Sequence, residues 1–140
     1  RNMRGRIMKE LSKDDPSSGL HDIKLGSGGL EELEFAVQYL QLKNCAAAPW
    51  VAVPNTLKAI SRLGRGGAIT GPLADRLAEI YIFYRAIETT LRLRNENILR
   101  ESSDTMRSAA VMVKIGEEKL PGMISAARSA VKEFIDGLED

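Results

Sequence analysis

The chain is poor in the residue types from which many protein sites are built. It holds one cysteine, Cys45, and one histidine, His21. A single thiol closes no internal disulfide and fits a reducing compartment, so a cytoplasmic location is expected. One histidine and one cysteine also fall short of an ordinary zinc ligand set, and no metal site is expected in this segment. Aromatic residues make up only 5%, and 20 basic against 19 acidic side chains leave a formal net charge of +1. Nothing global therefore draws the chain to nucleic acid or to an anionic membrane. The arginines at 92, 94, 100 and 107 read as solvated helix residues rather than a phosphate track. No apolar run approaches the roughly 18–20 residues of a spanning helix, and no signal-peptide pattern opens the sequence.

What is present suits one helical domain. Hydrophobic residues are 44% and charged ones 28% of 140, ordinary for a globular chain with a single core. The opening Arg1-Asn2-Met3-Arg4-Gly5-Arg6-Ile7 looks like the interior of a longer protein. The expectation is a single domain over 1–140, excised from a larger enzyme.

Periodicity predicts about six helices. Met3, Ile7, Met8 and Leu11 share a face of a helix over 2–12. A turn-rich stretch continues to Gly19, and 21–24 has room only for an edge strand or extended arm. From Leu30, Leu33, Val37 and Leu40 recur at three and four, giving a helix that stops near Lys43-Asn44. Prolines 49 and 54 mark a linker. Asn55 or Thr56 caps a helix carrying Leu57, Ile60 and Leu63, with Gly64 expected at its left-handed end. Pro72 opens the longest helix, placed from 72 to about 98, with Leu73, Leu77, Ile80, Tyr84, Ile87, Leu91 and Ile98 as its stripe. Ser102 or Ser103 caps a helix running to Lys114, with Gly116 as its stop. Pro121 opens the last, along Ile124, Ala127, Val131, Phe134 and Leu138. The fold class is all-α, a bundle with its long helices antiparallel. Phe35, Val37 and Leu40 are expected to face Ile80, Tyr84 and Ile87.

The most informative stretch is Asp22-Ile23-Lys24-Leu25-Gly26-Ser27-Gly28-Gly29-Leu30-Glu31-Glu32-Leu33-Glu34-Phe35. A glycine turn at a helix start brings backbone N–H groups to the positive end of the macrodipole, where an anion is favoured, and Lys24 adds a charge. The same glycines serve equally well as a structural cap with φ > 0 and close packing. The pattern is neither a phosphate loop nor a dinucleotide fingerprint, because the Lys-Ser/Thr pair and the βαβ setting are missing. Glu31, Glu32 and Glu34 suit the first turns of a helix without any metal. Arg85 and Glu88, one turn apart, are placed for an i,i+3 pair.

The stretch from Asp22 to Phe35, continued by Gln38 and Gln41-Leu42, resembles the helical domain of the bifunctional glutamine synthetase adenylyltransferase/adenylyl-removing enzymes. The opening seven residues, Asn55-Thr56-Leu57, and Tyr81-x-Phe83-Tyr84-Arg85-x-x-Glu88 are similar to other parts of that domain. The likeness covers about 1–95; beyond it only helical character matches. It implies a parent of two similar halves, each with an upstream nucleotidyltransferase domain and then a helical one. ATP and Mg²⁺ serve that parent, its partners are glutamine synthetase and the PII signal protein, and AMP is attached to or removed from glutamine synthetase. The Gly-Ser-x-x-Asp-type motif of the nucleotidyltransferase is absent here, so no catalytic residue is expected in this segment. Lack of an Asp-x-Gln-Thr-His-type stretch after the long helix favours the C-terminal, adenylylating half. The resemblance places Lys24, Gly26, Gly28 and Gly29 near a nucleotide phosphate, and Glu32, Glu34, Gln38, Arg85 and Glu88 at domain contacts. Two other readings stand beside it: an all-α interaction module with no nucleotide role, and the matching domain of a PII uridylyltransferase.

Overall fold

A computed structural model describes residues 13–138 of the chain; the helix expected over 2–12 lies outside them. Among the described residues there are five α-helices: α1 (Leu30–Asn44), α2 (Thr56–Arg65), α3 (Gly71–Leu93), α4 (Asp104–Val113) and α5 (Leu120–Gly137). The expected count of six is therefore not reached within this span. Three 3₁₀ turns join them, at Pro16–Ser18, Pro49–Val51 and Glu117–Lys119. Two short strands, β1 (Leu20–His21) and β2 (Leu99–Arg100), form an antiparallel ladder with Leu20 opposite Arg100 and His21 opposite Leu99. Among the described residues no helix is long and apolar enough to cross a membrane.

The three-four stripes are what the helices bury. Leu33, Val37 and Leu40 of α1 join Ile60 and Leu63 of α2, Leu77, Ile80, Tyr84, Ile87 and Leu91 of α3, and Ile124 and Val131 of α5 in one core. Each such aliphatic side chain contributes about 1.5–3 kcal/mol on burial before conformational entropy is charged. Ser103 and Asn55 cap α4 and α2 through their side-chain oxygens, as their positions predict. Phe35 is only half-buried, at the edge of the expected α1–α3 packing.

Three boundaries differ from the periodicity, each with a local cause. The longest helix ends at Leu93 instead of near 98, because Asn95 turns left-handed at φ 55°. Asparagine tolerates that conformation better than most side chains. The chain then doubles back, and Leu99 is buried as the partner of β1. Gly64 does not terminate α2; the helix passes through it to Arg65, and Gly67 takes the left-handed φ of 80°. What Gly64 provides is proximity, since a Cβ there would stand 2.8 Å from the Cβ of Ala74 on α3. On α4 the stop is Lys114 at φ 61°, two residues before the expected Gly116.

A side-chain tie accompanies the small ladder. The buried His21 meets Glu101 at 2.7 Å through Nε2. At the linker, Gln41 donates from Nε2 to the carbonyls of Val51 and Val53, both at 2.7 Å, and so fastens it to α1.

Candidate functional site

The glycine turn closes on itself. Gly26 N–H donates to the Asp22 carbonyl at 2.8 Å, Gly29 N–H to the Gly26 carbonyl at 2.9 Å, and Leu30 N–H to the Ile23 carbonyl at 2.8 Å. Glu31 N–H reaches the Lys24 carbonyl at 3.0 Å. Gly28 N–H donates to Oε1 of Glu32 at 2.8 Å, so Glu32 reaches back to the turn as a cap. A phosphate would need these donors, and they are already bonded to protein. Gly26, Gly28 and Gly29 are moreover buried. The turn is a structural cap.

The glycines are required by what lies against them. A Cβ on Gly28 would stand 2.4 Å from the backbone carbonyl oxygen of Arg128 on α5, and the φ of 71° there strains any other residue. A Cβ on Gly26 would stand 2.5 Å from the Asp22 carbonyl oxygen and 2.9 Å from the Arg128 guanidinium. From α3, the Tyr84 hydroxyl donates to the Gly28 carbonyl at 2.6 Å, and burial pushes its pKa up. The turn is thus where α1, α3 and α5 meet.

A cleft of about 940 Å³ opens on the other side of the same stretch. Lys24, Glu31 and Glu34 from the motif face Arg85, Glu88 and Arg92 from α3 across it. Lys13, Asp22, Leu25, Leu30, Asn95, Glu96, Asn97, Ile98, Arg100 and Ser103 complete the lining. Helical spacing explains the convergence: Glu31 and Glu34 are three apart on α1, and Arg85, Glu88 and Arg92 are three and four apart on α3. Of the nine residues singled out from sequence, Lys24, Glu34, Arg85 and Glu88 come together here. Gln38 is exposed and lies outside this lining.

The cleft carboxylates are not at ease. Burial raises the pKa of Glu34, and neighbouring Glu31 raises it further, against Arg85, Lys24 and a hydrogen bond with Tyr81. Burial likewise raises that of Glu88; Lys24, Arg92 and Arg85 oppose this and Asp22 adds to it. Ion pairs between described residues include His21 with Glu101, Arg107 with Asp104 and Arg128 with Asp14. The expected Arg85–Glu88 pair is not among them. Burial outweighs the neighbouring cations, Arg85 and Lys24 at Glu34 and Lys24, Arg92 and Arg85 at Glu88, so a further positive charge would favour both ionised forms.

Among the described residues no three carboxylate, histidine or cysteine side chains gather into a cluster that could by itself hold a metal ion. For a nucleotide phosphate, the cations lining the cleft are Lys13, Lys24, Arg85, Arg92 and Arg100.

One buried charge escapes any reading of the motif. Arg128 of α5 is 6% exposed and donates from Nη1 and Nη2 to both oxygens of Asp14, at 2.5 and 2.8 Å. Its trace in the sequence is an arginine on the apolar stripe, four residues after Ile124 and three before Val131. Burial alone would raise the pKa of Asp14, but hydrogen bonds from Arg128 and from the Asp22 N–H, with the guanidinium charge, hold it below the usual carboxylate range.

Comparison with known proteins accords with this architecture. A family model described as GlnD PII-uridylyltransferase matches residues 1–134. The match runs well past residue 95 into α5, so the likeness is not confined to the motif region. The bifunctional glutamine synthetase adenylyltransferase/adenylyl-removing enzyme of Mycobacterium avium is 42% identical over 86 residues, 59% of this chain and 9% of that protein. Its counterpart in Mycolicibacterium smegmatis is 37% identical over 105 residues, 73% of this chain and 10% of that protein. The one in Cutibacterium acnes is 34% identical over 113 residues, 79% of this chain and 11% of that protein. The chain thus spans about a tenth of the length of these relatives. With its motif, its helices and nearly its whole length matched, the chain belongs to the GlnD PII-uridylyltransferase family and is similar to a segment of the glutamine synthetase adenylyltransferases.

Proposed function

We propose that this chain is the helical, non-catalytic part of a glutamine synthetase adenylyltransferase, an enzyme that transfers AMP from ATP to glutamine synthetase. The observation that carries this reading is the cleft. Residues from two separate stretches of the motif, Lys24 and Glu34 on one side and Arg85 and Glu88 on the other, line one charged opening. In this reading the cleft faces an upstream nucleotidyltransferase domain of the parent, which holds Mg²⁺ and performs the transfer. Lys24 meets the nucleotide's phosphate tail across the domain boundary, and Glu34 and Glu88 receive a cation from that domain. The half is the C-terminal, adenylylating one, the compartment is the cytoplasm, and PII is a candidate regulator of the same assembly.

The chain incubated with ATP, Mg²⁺ and glutamine synthetase should incorporate no AMP; turnover surviving purification would overturn the non-catalytic role. In the full-length parent, Lys24→Ala should raise the KM for ATP by about tenfold, the size of one charge-assisted hydrogen bond. Unchanged ATP kinetics would remove Lys24 from the nucleotide's reach.

A second reading, that the parent is a PII uridylyltransferase, is favoured by the description of the matching family model. Full-length parent supplied with UTP and PII, or with ATP and glutamine synthetase, distinguishes the two by which protein becomes labelled.

A further inference from the structure

We propose that Arg128 is a positioning residue, through which α5 sets the conformation of the segment that carries Lys24 into the cleft. The proposal rests on the nucleotide reading of the cleft only for its kinetic test.

The contacts form a continuous path. Arg128 grips Asp14 with two parallel N–H···O bonds, and Nη2 also donates to the Asp22 carbonyl at 3.1 Å. Such a fork fixes direction as well as distance, unlike the single point of an ammonium. Asp14 Oδ1 in turn accepts the Asp22 N–H at 2.8 Å. Asp22 then organises the loop on its C-terminal side: its Oδ1 accepts the Leu25 N–H at 2.9 Å and its carbonyl accepts the Gly26 N–H at 2.8 Å. Lys24 sits inside this bonded loop, exposed at its tip and lining the cleft. The guanidinium lies beneath the loop, where Gly26 leaves room for it.

A buried ion pair is weak evidence for net stability, and its better-attested use is to select one arrangement. Here the arrangement selected is that of 14–26 on α5. The turn retains an independent anchor when the pair is broken, through Tyr84 and Gly28 on α3. Loss of Arg128 should therefore loosen the Lys24 loop without dismantling the helices.

The test uses full-length parent protein carrying Arg128→Lys, with Lys24→Ala and the double variant alongside. Amide hydrogen exchange should quicken by about tenfold over 22–26 in Arg128→Lys, while α1 and α3 stay protected. Exchange unchanged at 22–26, or faster throughout the helices, would overturn the proposal. The KM for the nucleotide should rise about fivefold in Arg128→Lys, with kcat nearly constant, and the double variant should match Lys24→Ala alone. Additive losses would show that Arg128 acts elsewhere than through Lys24. Should Lys24→Ala be kinetically silent, the nucleotide reading of the cleft fails, and the exchange pattern by itself decides the role of Arg128. Asp14→Asn breaks the same pair from the other side; if Arg128→Lys does not fold, this variant must show the same local exchange pattern or the proposal falls.

Discussion

The two sides of the stretch from Asp22 to Glu34 obey opposite rules. On the inner side, every glycine answers to a neighbour: α5 at Gly26 and Gly28, and the Tyr84 hydroxyl at the Gly28 carbonyl. The N–H groups of Gly26, Gly28 and Gly29 are bonded to protein, and substitution there costs stability. On the cleft side, Lys24, Glu34, Arg85 and Glu88 form a charged wall in which burial outweighs the neighbouring cations at both carboxylates. Substitution there should cost little stability and bear on function. One motif thus holds a packed turn and a charged cleft wall, and similarity between sequences does not tell them apart.

The largest effect should come from Gly28→Ala, which places a Cβ 2.4 Å from the α5 backbone at a left-handed φ. Backbone strain and overpacking together predict a loss of about 3–5 kcal/mol in a urea melt. A tolerated alanine would mean that α5 does not press on the turn, and the contrast between the two sides would collapse. Tyr84→Phe removes one buried hydrogen bond and leaves the Gly28 carbonyl without its donor. It should lower stability by about 1–2 kcal/mol, read from the same melts.

Acid separates the sides by sign. Asp14 has a lowered pKa in the folded chain, so it adds stability above its ordinary value of 3.8 that is lost as pH falls through the folded value. Asp14→Asn should cost about 1 kcal/mol near neutrality, and the difference from the parent chain should shrink only in strong acid. Equal pH profiles for the two proteins would count against the Arg128–Asp14 tie. Glu88 runs the other way. Its raised pKa means that ionisation disfavours the fold, with no penalty below its ordinary value of 4.5 and the full penalty above the raised one. At neutral pH Glu88→Gln should be neutral or stabilising by under about 0.5 kcal/mol, given its partial solvation. A marked loss instead would show that Glu88 is held by a partner cation and belongs to the inner side.

Much of the helical frame was legible because it depends on residues three and four apart. The stripes of α1, α3 and α5, the caps at Asn55 and Ser103, and the proline at the start of α3 are all local signals. Where those signals weakened, so did the reading. Leu93 ends α3 because Asn95 accepts a left-handed φ, a choice that matters only once Leu99 has a strand partner in β1. The joining of Lys24, Glu34, Arg85 and Glu88 into one cleft was legible only in part: each residue stood out, but their meeting depends on how α1 crosses α3.

What the amino-acid sequence determined by itself is the set of amphipathic helices, the exclusion of disulfide and zinc scaffolds, and the family to which the chain belongs. What only tertiary structure decided is the meaning of the glycines. A glycine turn before a helix is compatible with an anion cradle or a packed cap, and the residues within it do not distinguish them. The deciding partner, Arg128, lies about a hundred residues away, on a helix whose arrival beside Gly26 and Gly28 fills the space and whose side chain ties down Asp14 and Asp22. Steric exclusion and the pairing of a buried charge act through space between segments that share no local pattern, so neither can be read along the chain.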